Sequence, residues 1–387
     1  MNRPLRIAML AHSTNPRGGV VHAMHLSEAL AELGHEVTLF APDSTGKGFF
    51  RSPKVPSQAF AVERAMSGMT AMVEQRIRDY VHFFERRGTR DFDLFHAHDG
   101  ISGNALATLA ARGHIDGFLR TVHHVDDFAD PKLMDLQARS IDAASRLFTV
   151  SDHWRQYFRH KGRVATCVGN GVDARRFRRL EDESDVRLRT RLGITGAPIF
   201  LAVGGIEARK NTLNILKAFA ETRAVLPAAQ LVIAGGVSLL DHHDYQSAFN
   251  VMLASSPPLA GAVHVIGAVP DAEMPALYRM ADALVFASLK EGFGLVVLEA
   301  MASGLPVVLS SIPPFTEYVP EAAALWCDPR RAASIADGMV SAVRADVSSA
   351  RIAAGFETTA RHDWKNAAAA HLPAYRAAAR SKETVHA

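Results

Sequence analysis

The sequence predicts an α/β protein built from two successive parallel-sheet domains. An apolar run at residues 5–11 is followed by a glycine-containing break, a stretch with helical spacing and a second apolar run at 36–41. Such strand–helix–strand units place parallel strands side by side, with helices on the faces of the sheet. A densely charged segment begins at residue 173, and the same alternation restarts at residue 199. The restart predicts a second domain, as does a length of 387 residues, because single cores stop growing near roughly 250–300 residues.

In the first half, the opening helix is predicted from apolar residues that recur at helical spacing between Val21 and Leu33, and Gly34 follows as a C-cap. Strands are predicted at 93–98, 118–123 and 146–151, and helices at 67–87 and 105–112. The segment 44–57 is rich in Gly, Ser, Lys and Pro and is predicted to be a mobile loop.

In the second half, strands are predicted at 199–203, 230–234, 263–266, 283–286 and 306–309, with a helix at 211–226. The Ala-rich tail after residue 352 is predicted to be helical, anchored by Trp364, Leu372 and Tyr375.

The composition excludes several classes of protein. With 48% hydrophobic and 21% charged residues, the chain is neither disordered, collagen-like nor a coiled coil. A net charge of +3 gives no global field that would favour nucleic acid. Two cysteines, Cys167 and Cys327, exclude a disulfide framework and a four-cysteine zinc site. The first apolar run is too short for a signal peptide, and the run at 295–309 contains Glu299 and is shorter than the about 20 residues of a membrane span. We therefore expect a cytoplasmic protein.

The strongest chemical motif is EGFGLVVLE, which places Glu291 and Glu299 on either side of a helix start. Glu291 follows the strand at 283–286, and open α/β sheets bind ligands at the carboxyl ends of their strands. The backbone amides of Gly292, Phe293, Gly294 and Leu295 surround the helix N-terminus, which suits a diphosphate. Glu299 lies about one turn inside that helix, where its carboxylate could accept hydrogen bonds from ribose hydroxyls.

A second motif, GGIEARKN, follows the strand at 199–203. Arg209 and Lys210 can offer charge-assisted hydrogen bonds to both phosphates of a diphosphate. Cations are unfavourable at a helix N-terminus, so their presence here indicates a bound anion.

Histidines follow two predicted strands of the first half. His96 and His98 alternate along one strand, and His123 and His124 end another, shortly before Asp126 and Asp127. Histidines and carboxylates at this density leave a metal site open. The position of these residues at strand ends explains them without a metal, and we expect none.

Taken together, these motifs resemble those of the retaining glycosyltransferases of family 4. The glycine pair Gly18-Gly19, the NGVD segment at 170–173, EGFGLVVLE, the continuation AMASGLPVV and the DP pair at 328–329 occur in the order typical of that family. The resemblance covers nearly the whole chain. One position departs from it, because many relatives carry an arginine where this sequence has Gly205. Either Arg209 replaces that arginine or the phosphate contacts are fewer.

The resemblance implies the GT-B fold, in which two Rossmann-like parallel-sheet domains face a cleft and a C-terminal helix crosses back to the N-terminal domain. It implies an acceptor-binding domain at 1–175, a linker at 176–198, a donor-binding domain at 199–355 and the returning helix at 356–387. It also implies a metal-independent enzyme without a cofactor.

The implied reaction transfers a sugar from a UDP-, GDP- or ADP-sugar to a hydroxyl of a sugar, lipid-linked or small-molecule acceptor. Carried over by the resemblance, the catalytic residues are Glu291, Lys210, Arg209 and His123, and the donor-binding residues are Gly18, Gly19, Gly292, Phe293, Gly294, Leu295, Glu299 and His98. Glu291 could act as nucleophile or as a positioning group. Basic clusters such as Arg159-His160-Lys161 leave open a weak peripheral contact with membranes.

Three alternatives remain. A GT-B nucleotide-sugar epimerase would act without an acceptor, and a non-catalytic sugar-nucleotide-binding protein would show no turnover. An NAD-dependent oxidoreductase is disfavoured, because Pro16-Arg17-Gly18-Gly19 lacks the GxGxxG spacing.

Overall fold

A computed structural model describes residues 3–86, 88–180, 182–236 and 243–385. The chain divides into two compact units. The first comprises Met1–Asn170 together with Trp364–Ala387, and the second comprises Gly171–Asp363. Within these described residues, each unit contains one sheet whose neighbouring strands all pair in parallel.

The strands are β1 (Arg6–Leu10), β2 (Glu36–Asp43), β3 (Ser57–Ala61), β4 (Leu94–Ala97), β5 (Leu119–Val122), β6 (Arg146–Thr149), β7 (Ala165–Cys167), β8 (Ile199–Val203), β9 (Gln230–Ala234), β10 (Val263–Gly267), β11 (Ala283–Phe286), β12 (Val307–Ser310) and β13 (Leu325–Cys327).

The α-helices are α1 (Gly18–Glu32), α2 (Met69–Glu85), α3 (Gly100–Ala111), α4 (Pro131–Asp142), α5 (Asp152–His160), α6 (Glu183–Arg191), α7 (Thr212–Val225), α8 (His243–Ala254), α9 (Pro257–Ala260), α10 (Met274–Arg279), α11 (Leu295–Ala302), α12 (Phe315–Tyr318), α13 (Ala332–Ala342), α14 (Ala345–Ala360) and α15 (Trp364–Val385).

The first sheet has seven strands in the order β3-β2-β1-β4-β5-β6-β7. Its core is aromatic, with Phe84, Phe95 and Phe118 almost fully buried. Tyr80 of α2 is also buried, and its hydroxyl donates to the carbonyls of Ala11 (2.6 Å) and Phe40 (3.0 Å). These bonds tie α2 to the carboxyl end of β1 and to β2, because a buried hydroxyl needs a partner.

The segment predicted to be a mobile loop, 44–57, is held by two carboxylates instead. Asp43 accepts hydrogen bonds from the backbone amides of Thr45 (2.8 Å), Gly46 (3.1 Å) and Gly48 (2.7 Å). Glu28 pairs with Arg51 at 2.6 Å. The composition of the segment reflected this turn chemistry, and β3, which was not predicted, follows it.

The last helix, α15, belongs to the first unit. The ring of Trp364 stacks on His25 of α1 with centroids 5.1 Å apart. Tyr375 is fully buried, and its hydroxyl lies 2.6 Å from Nδ1 of His96 on β4. Trp364 and Tyr375 are thus buried in the first unit, whereas Leu372, the third predicted anchor, is half-buried.

The second sheet has six strands in the order β10-β9-β8-β11-β12-β13. Phe200, Phe219 and Phe249 are fully buried in its core. The described part of the segment predicted as a linker, 176–198, lies within this unit and contains α6; Glu181 lies outside the described residues. Helix α6 begins with a capping box formed by Asp182 and Asp185, and Asp185 pairs with Arg279 of α10 at 2.7 Å. This pairing explains why a highly charged segment packs on the domain that follows it.

Within the described ranges, no helix combines the length and the apolar character needed to cross a bilayer.

Candidate active site

Two neighbouring strands of the second sheet bring the predicted cations and the predicted carboxylate together. Strand β8 leads to the turn that carries Arg209 and Lys210, and β11 leads to the loop that carries Glu291. Lys210 Nζ lies 2.7 Å from Glu291 Oε1, and Arg209 Nη1 lies 3.0 Å from Glu291 Oε2. Each carboxylate oxygen therefore has its own cationic partner.

This ion-pair cluster is largely buried, since Glu291 is 7% exposed. Burial by itself would raise the pKa of Glu291, but the charges of Lys210 and Arg209 and the hydrogen bond from Lys210 lower it to about 2. Burial lowers the pKa of Lys210, and the Glu291 charge opposes that shift. Glu291 is therefore a carboxylate at neutral pH, and it is already neutralised by its neighbours.

A glycine at the end of β8 leaves space for the side chain of Lys210. A Cβ on Gly204, whose φ is +134°, would stand 2.6 Å from Cε of Lys210. Lys210 Nζ also lies 4.5 Å from the ring centroid of Phe286. Gly205, the position where the resemblance leads one to expect arginine, has a φ of +77°, which a side chain would disfavour. Arg209 lies four residues after Gly205, and its guanidinium is 3.0 Å from the carboxylate of Glu291.

The turn before α11 is fixed by aromatic packing. Gly294 has a φ of +92°, and a Cβ there would stand 2.7 Å from Cε1 of Phe315. Phe293 stacks on Tyr318 with ring centroids 4.2 Å apart, and the Tyr318 hydroxyl donates to the Phe293 carbonyl at 3.1 Å. These contacts hold the Gly292–Leu295 segment at the helix N-terminus, the arrangement that binds anions.

Glu299 lies on α11 and has a specific partner that no sequence pattern linked to it. The hydroxyl of Tyr278, a fully buried residue, donates to Glu299 Oε2 at 2.7 Å. Burial raises the pKa of Glu299, against the opposing effects of Tyr278 and Arg176. Arg176 itself pairs with Asp271 at 2.8 Å. Tyr278 thus fixes one carboxylate oxygen of the group predicted to bind ribose.

The predicted residues of the first unit form a separate group. Gly18 and Gly19 begin α1, and the place where a Cβ on Gly19 would stand is 3.4 Å from Cδ2 of His123. His98 is 2% exposed, and its Nε2 lies 2.8 Å from the sulfur of Met9. A Cβ at position 19 would therefore be in van der Waals contact with the His123 ring.

His98 and His123 belong to a buried histidine cluster, which consists of His22, His96, His98, His123 and His371. His22 and His371 were not predicted, because His22 lies within the apolar pattern of α1 and His371 lies far along the chain. The His22 ring lies 5.2 Å from that of His98 and 4.8 Å from that of His123. His22 Nδ1 is also 2.5 Å from Oδ1 of Asn170, in the NGVD segment.

Burial keeps the histidine cluster uncharged. It lowers the pKa of His22 to about 4 and that of His371 to about 3, and it holds those of His96, His98 and His123 well below the ordinary value. Four ring nitrogens have no hydrogen-bond partner in the described part of the chain: His22 Nε2, His98 Nδ1, His123 Nε2 and His371 Nε2. Across the described residues, no three His, Cys, Asp or Glu side chains are arranged to hold a metal ion.

Each half of the chain matches a model of a known protein family. The family model named Glycosyltransferase Family 4 matches residues 16–176, and the model named Glycosyl transferases group 1 matches residues 187–367. The chain belongs to glycosyltransferase family 4.

This family 4 glycosyltransferase is similar to named relatives over most of its length. It is 26% identical to a glycogen synthase of Mycobacterium tuberculosis, over 93% of this chain and 91% of that protein. It is 29% identical to D-inositol 3-phosphate glycosyltransferase 2 of Catenulispora acidiphila, over 80% of this chain and 79% of that protein. Among solved structures, Anabaena Alr3699/HepE in complex with UDP and glucose has a TM-score of 0.76 at 17% identity, covering 96% of this chain and all of that one. The fold of this glycosyltransferase is therefore GT-B.

Proposed function

We propose that this glycosyltransferase transfers a sugar from a nucleoside diphosphate sugar to an acceptor hydroxyl, with retention of the anomeric configuration. The observation that carries the proposal is the convergence of Lys210 and Arg209 on Glu291 beside the N-terminus of α11. A diphosphate leaving group gains negative charge as its bond to the sugar breaks, and preorganised cations and helix amides stabilise that charge. This set of groups serves the purpose without a metal ion, so we propose that the reaction is metal-independent.

Glu291 is proposed to position the sugar rather than to attack it. A carboxylate whose two oxygens are held by Lys210 and Arg209 at 2.7 and 3.0 Å has little free electron density to offer as a nucleophile. Retention would then come from attack on the same face of the sugar from which the diphosphate leaves. The acceptor oxygen bonds to the anomeric carbon as the carbon–phosphate-oxygen bond breaks, and the acceptor proton passes to the departing phosphate.

The first unit is proposed to contribute neutral hydrogen-bonding groups. His123 is kept uncharged by burial, and its Nε2 has no partner within the described chain. A neutral imidazole can contact a sugar hydroxyl through one ring nitrogen. We assign His123 to a hydroxyl of the transferred sugar.

The proposal is tested by calorimetric binding of UDP, GDP, ADP and NAD to the purified protein. UDP is the first candidate, because the structural neighbour from Anabaena was solved with UDP and glucose. We expect one nucleoside diphosphate to bind selectively, and Glu299→Ala to weaken it by about tenfold through loss of a charged hydrogen bond. Tyr278→Phe should weaken it less, because it removes only the group that orients Glu299.

Each other outcome of this measurement has a meaning. NAD binding without any nucleoside diphosphate binding would contradict the donor assignment, and unchanged affinity in Glu299→Ala would remove that residue from the site. Turnover of a nucleotide sugar without acceptor would indicate an epimerase. Binding without turnover across UDP-, GDP- and ADP-sugars and hydroxyl acceptors would indicate a non-catalytic binding protein.

We further propose that the enzyme works in the cytoplasm in peripheral contact with an anionic membrane surface. The support is a basic end of α5, where Arg159, His160 and Lys161 are exposed, close in sequence to Val164, which is 92% exposed. Cosedimentation with phosphatidylglycerol vesicles tests this contact. It should fall in Arg159→Glu combined with Lys161→Glu and persist in Arg330→Glu, a charge reversal on the second unit; equal cosedimentation of all three proteins would contradict it.

A further inference from the structure

Asn211 combines a strained backbone with a buried side chain next to the catalytic cations. Among the non-glycine residues that the structure describes, it alone has a positive φ, with φ 62° and ψ 31°. The left-handed conformation costs most residues roughly 1–2 kcal/mol, although asparagine tolerates it better. Asn211 is 5% exposed and directly follows Lys210. Strain at such a position calls for a structural reason.

The side chain of Asn211 joins three loops at the carboxyl edge of the second sheet. Its Nδ2 donates to the carbonyl of Ala287 at 2.9 Å and to that of Pro329 at 2.6 Å. Asn211 follows β8, Ala287 follows β11 and Pro329 follows β13. Both amide hydrogens are thus used, in a buried site where an unpaired donor or acceptor would be costly.

The backbone around Asn211 closes the turn that carries both cations. Its amide donates to the carbonyls of Glu207 (3.1 Å) and Ala208 (3.0 Å), and its carbonyl accepts from the amide of Ile215 at 3.1 Å. The amide of Leu289 donates to the carbonyl of Arg209 at 2.9 Å. The turn is therefore bonded both to α7 and to the loop that carries Glu291.

We infer that Asn211 is a positioning residue that holds Lys210 and Arg209 in place for the diphosphate. The left-handed turn sends the two cationic side chains toward Glu291, and the amide clamp fixes that turn to the segment four residues before Glu291. The distances of 2.7 and 3.0 Å in the ion-pair cluster then depend on a residue whose own side chain donates to the carbonyls of Ala287 and Pro329. This inference rests on the proposed function for its catalytic consequence, but the placement of Lys210 can be measured without substrate.

Two substitutions separate the clamp from the backbone conformation. Asn211→Gly keeps access to a positive φ and removes both side-chain hydrogen bonds. Asn211→Asp keeps the shape but turns a carboxylate oxygen toward two carbonyls. Asn214→Ala is the matched control, because Asn214 Nδ2 donates to the same Pro329 carbonyl at 3.1 Å from the next turn of the chain.

For catalysis, we expect Asn211→Gly to lower kcat by about 10–100-fold with a smaller change in KM, as small misplacements of catalytic groups do. Asn211→Asp should be at least as impaired, and Asn214→Ala should remain close to the unmodified enzyme. A purely structural role would lower the yield of folded protein and the unfolding midpoint without this separation of kcat from KM.

The substrate-free measurement is pulse acetylation with acetic anhydride, followed by peptide mass spectrometry. The rate at Lys210 is expressed relative to that at Lys217, which is exposed on α7. We expect the relative rate at Lys210 to rise several-fold in Asn211→Gly and Asn211→Asp and to stay unchanged in Asn214→Ala. An unchanged relative rate and unchanged kcat in Asn211→Gly would overturn the inference, as would loss of stability alone. Absence of turnover by the unmodified protein would overturn the proposed function instead, and the acetylation rates would still decide the role of Asn211.

Discussion

The carboxyl edges of the two sheets have opposite electrostatic designs. In the second unit, β8 and β11 lead to an ammonium and a guanidinium that lie 2.7 and 3.0 Å from the oxygens of one carboxylate. In the first unit, the histidine cluster near the ends of β4 and β5 is buried and uncharged, with four ring nitrogens that have no partner in the described chain. The carboxyl edge of the second sheet thus presents charged groups. That of the first sheet presents hydrogen-bonding groups that carry no charge.

Under the proposed function, the two similar α/β frames serve different parts of one reaction. A compensated ion pair suits a leaving group that becomes more negative, because the cations are already desolvated and in place. Neutral imidazoles suit hydroxyl groups, which need direction more than charge. The sheet topology provides the position, and the residues after each strand decide the chemistry.

Mild acid should destabilise the first unit at a higher pH than the second. We expect this difference in acid stability to be the largest effect. The pKa of His22 is about 4 when folded against an ordinary 6.5, so its stabilising contribution is complete above pH 6.5 and is lost as the pH falls toward 4. That shift corresponds to about 3 kcal/mol for His22 alone, at about 1.4 kcal/mol per pH unit, and His371 adds to it. The pKa of Glu291 is about 2 against 4.5, so its contribution is lost only below pH 4.5.

Hydrogen exchange between pH 6.5 and 4.5 checks this separation, after correction for the intrinsic exchange rate. Amides of α1 and α15 should lose protection before those of α7 and α11. His22→Gln should flatten the pH dependence of the first unit, and His160→Gln, a substitution at an exposed histidine, should leave it as it is. Simultaneous loss of protection in both units would show that the histidine cluster does not control acid stability.

Removing one cation should leave the carboxylate of the second unit with a single cationic partner, and we expect the next largest effect from this change. Lys210→Ala leaves Glu291 buried with only Arg209, and we expect kcat to fall by the equivalent of about 2–4 kcal/mol of transition-state stabilisation. Steady-state kinetics with saturating donor measures this loss. Lys217→Ala, on the exposed side of α7, should keep full activity. A Lys210→Ala enzyme with normal kcat would remove the lysine from the mechanism.

Much of the fold could be predicted from the sequence, because several strands and helices have long, regular patterns of apolar residues. Strands such as β8, β9 and β11 are continuous buried runs, and their predicted and observed bounds coincide. The strands β3, β7 and β13 were missed, since they are three to five residues long and only partly buried or partly polar. Helices α4, α5 and α6 are strongly polar, so their apolar positions were too few to stand out in the sequence.

The approach of Lys210 and Arg209 to Glu291 was foreseeable to the extent that motifs after neighbouring strands meet at one edge of a sheet. Tyr278 could not be linked to Glu299 in this way, because the pair depends on how α10 packs beside α11 rather than on any spacing. The left-handed turn at Asn211 was equally hidden, since asparagine also occupies ordinary conformations. Sequence patterns indicate which groups meet, whereas the residues that orient them depend on packing.

The first unit consists of two stretches of chain that are separated in sequence by the whole second unit. This arrangement affects the order in which its parts are synthesised. Its sheet and α1 are made early, but Trp364 and Tyr375, which pack on α1 and β4, are made only after the entire second unit. A nascent chain therefore carries an unfinished N-terminal domain while the second domain folds, with His96 and its neighbours lacking their cover. A premature stop codon that removes the last helix would therefore destabilise the first unit. The second unit, which directly precedes that helix in sequence, would keep all of its own residues.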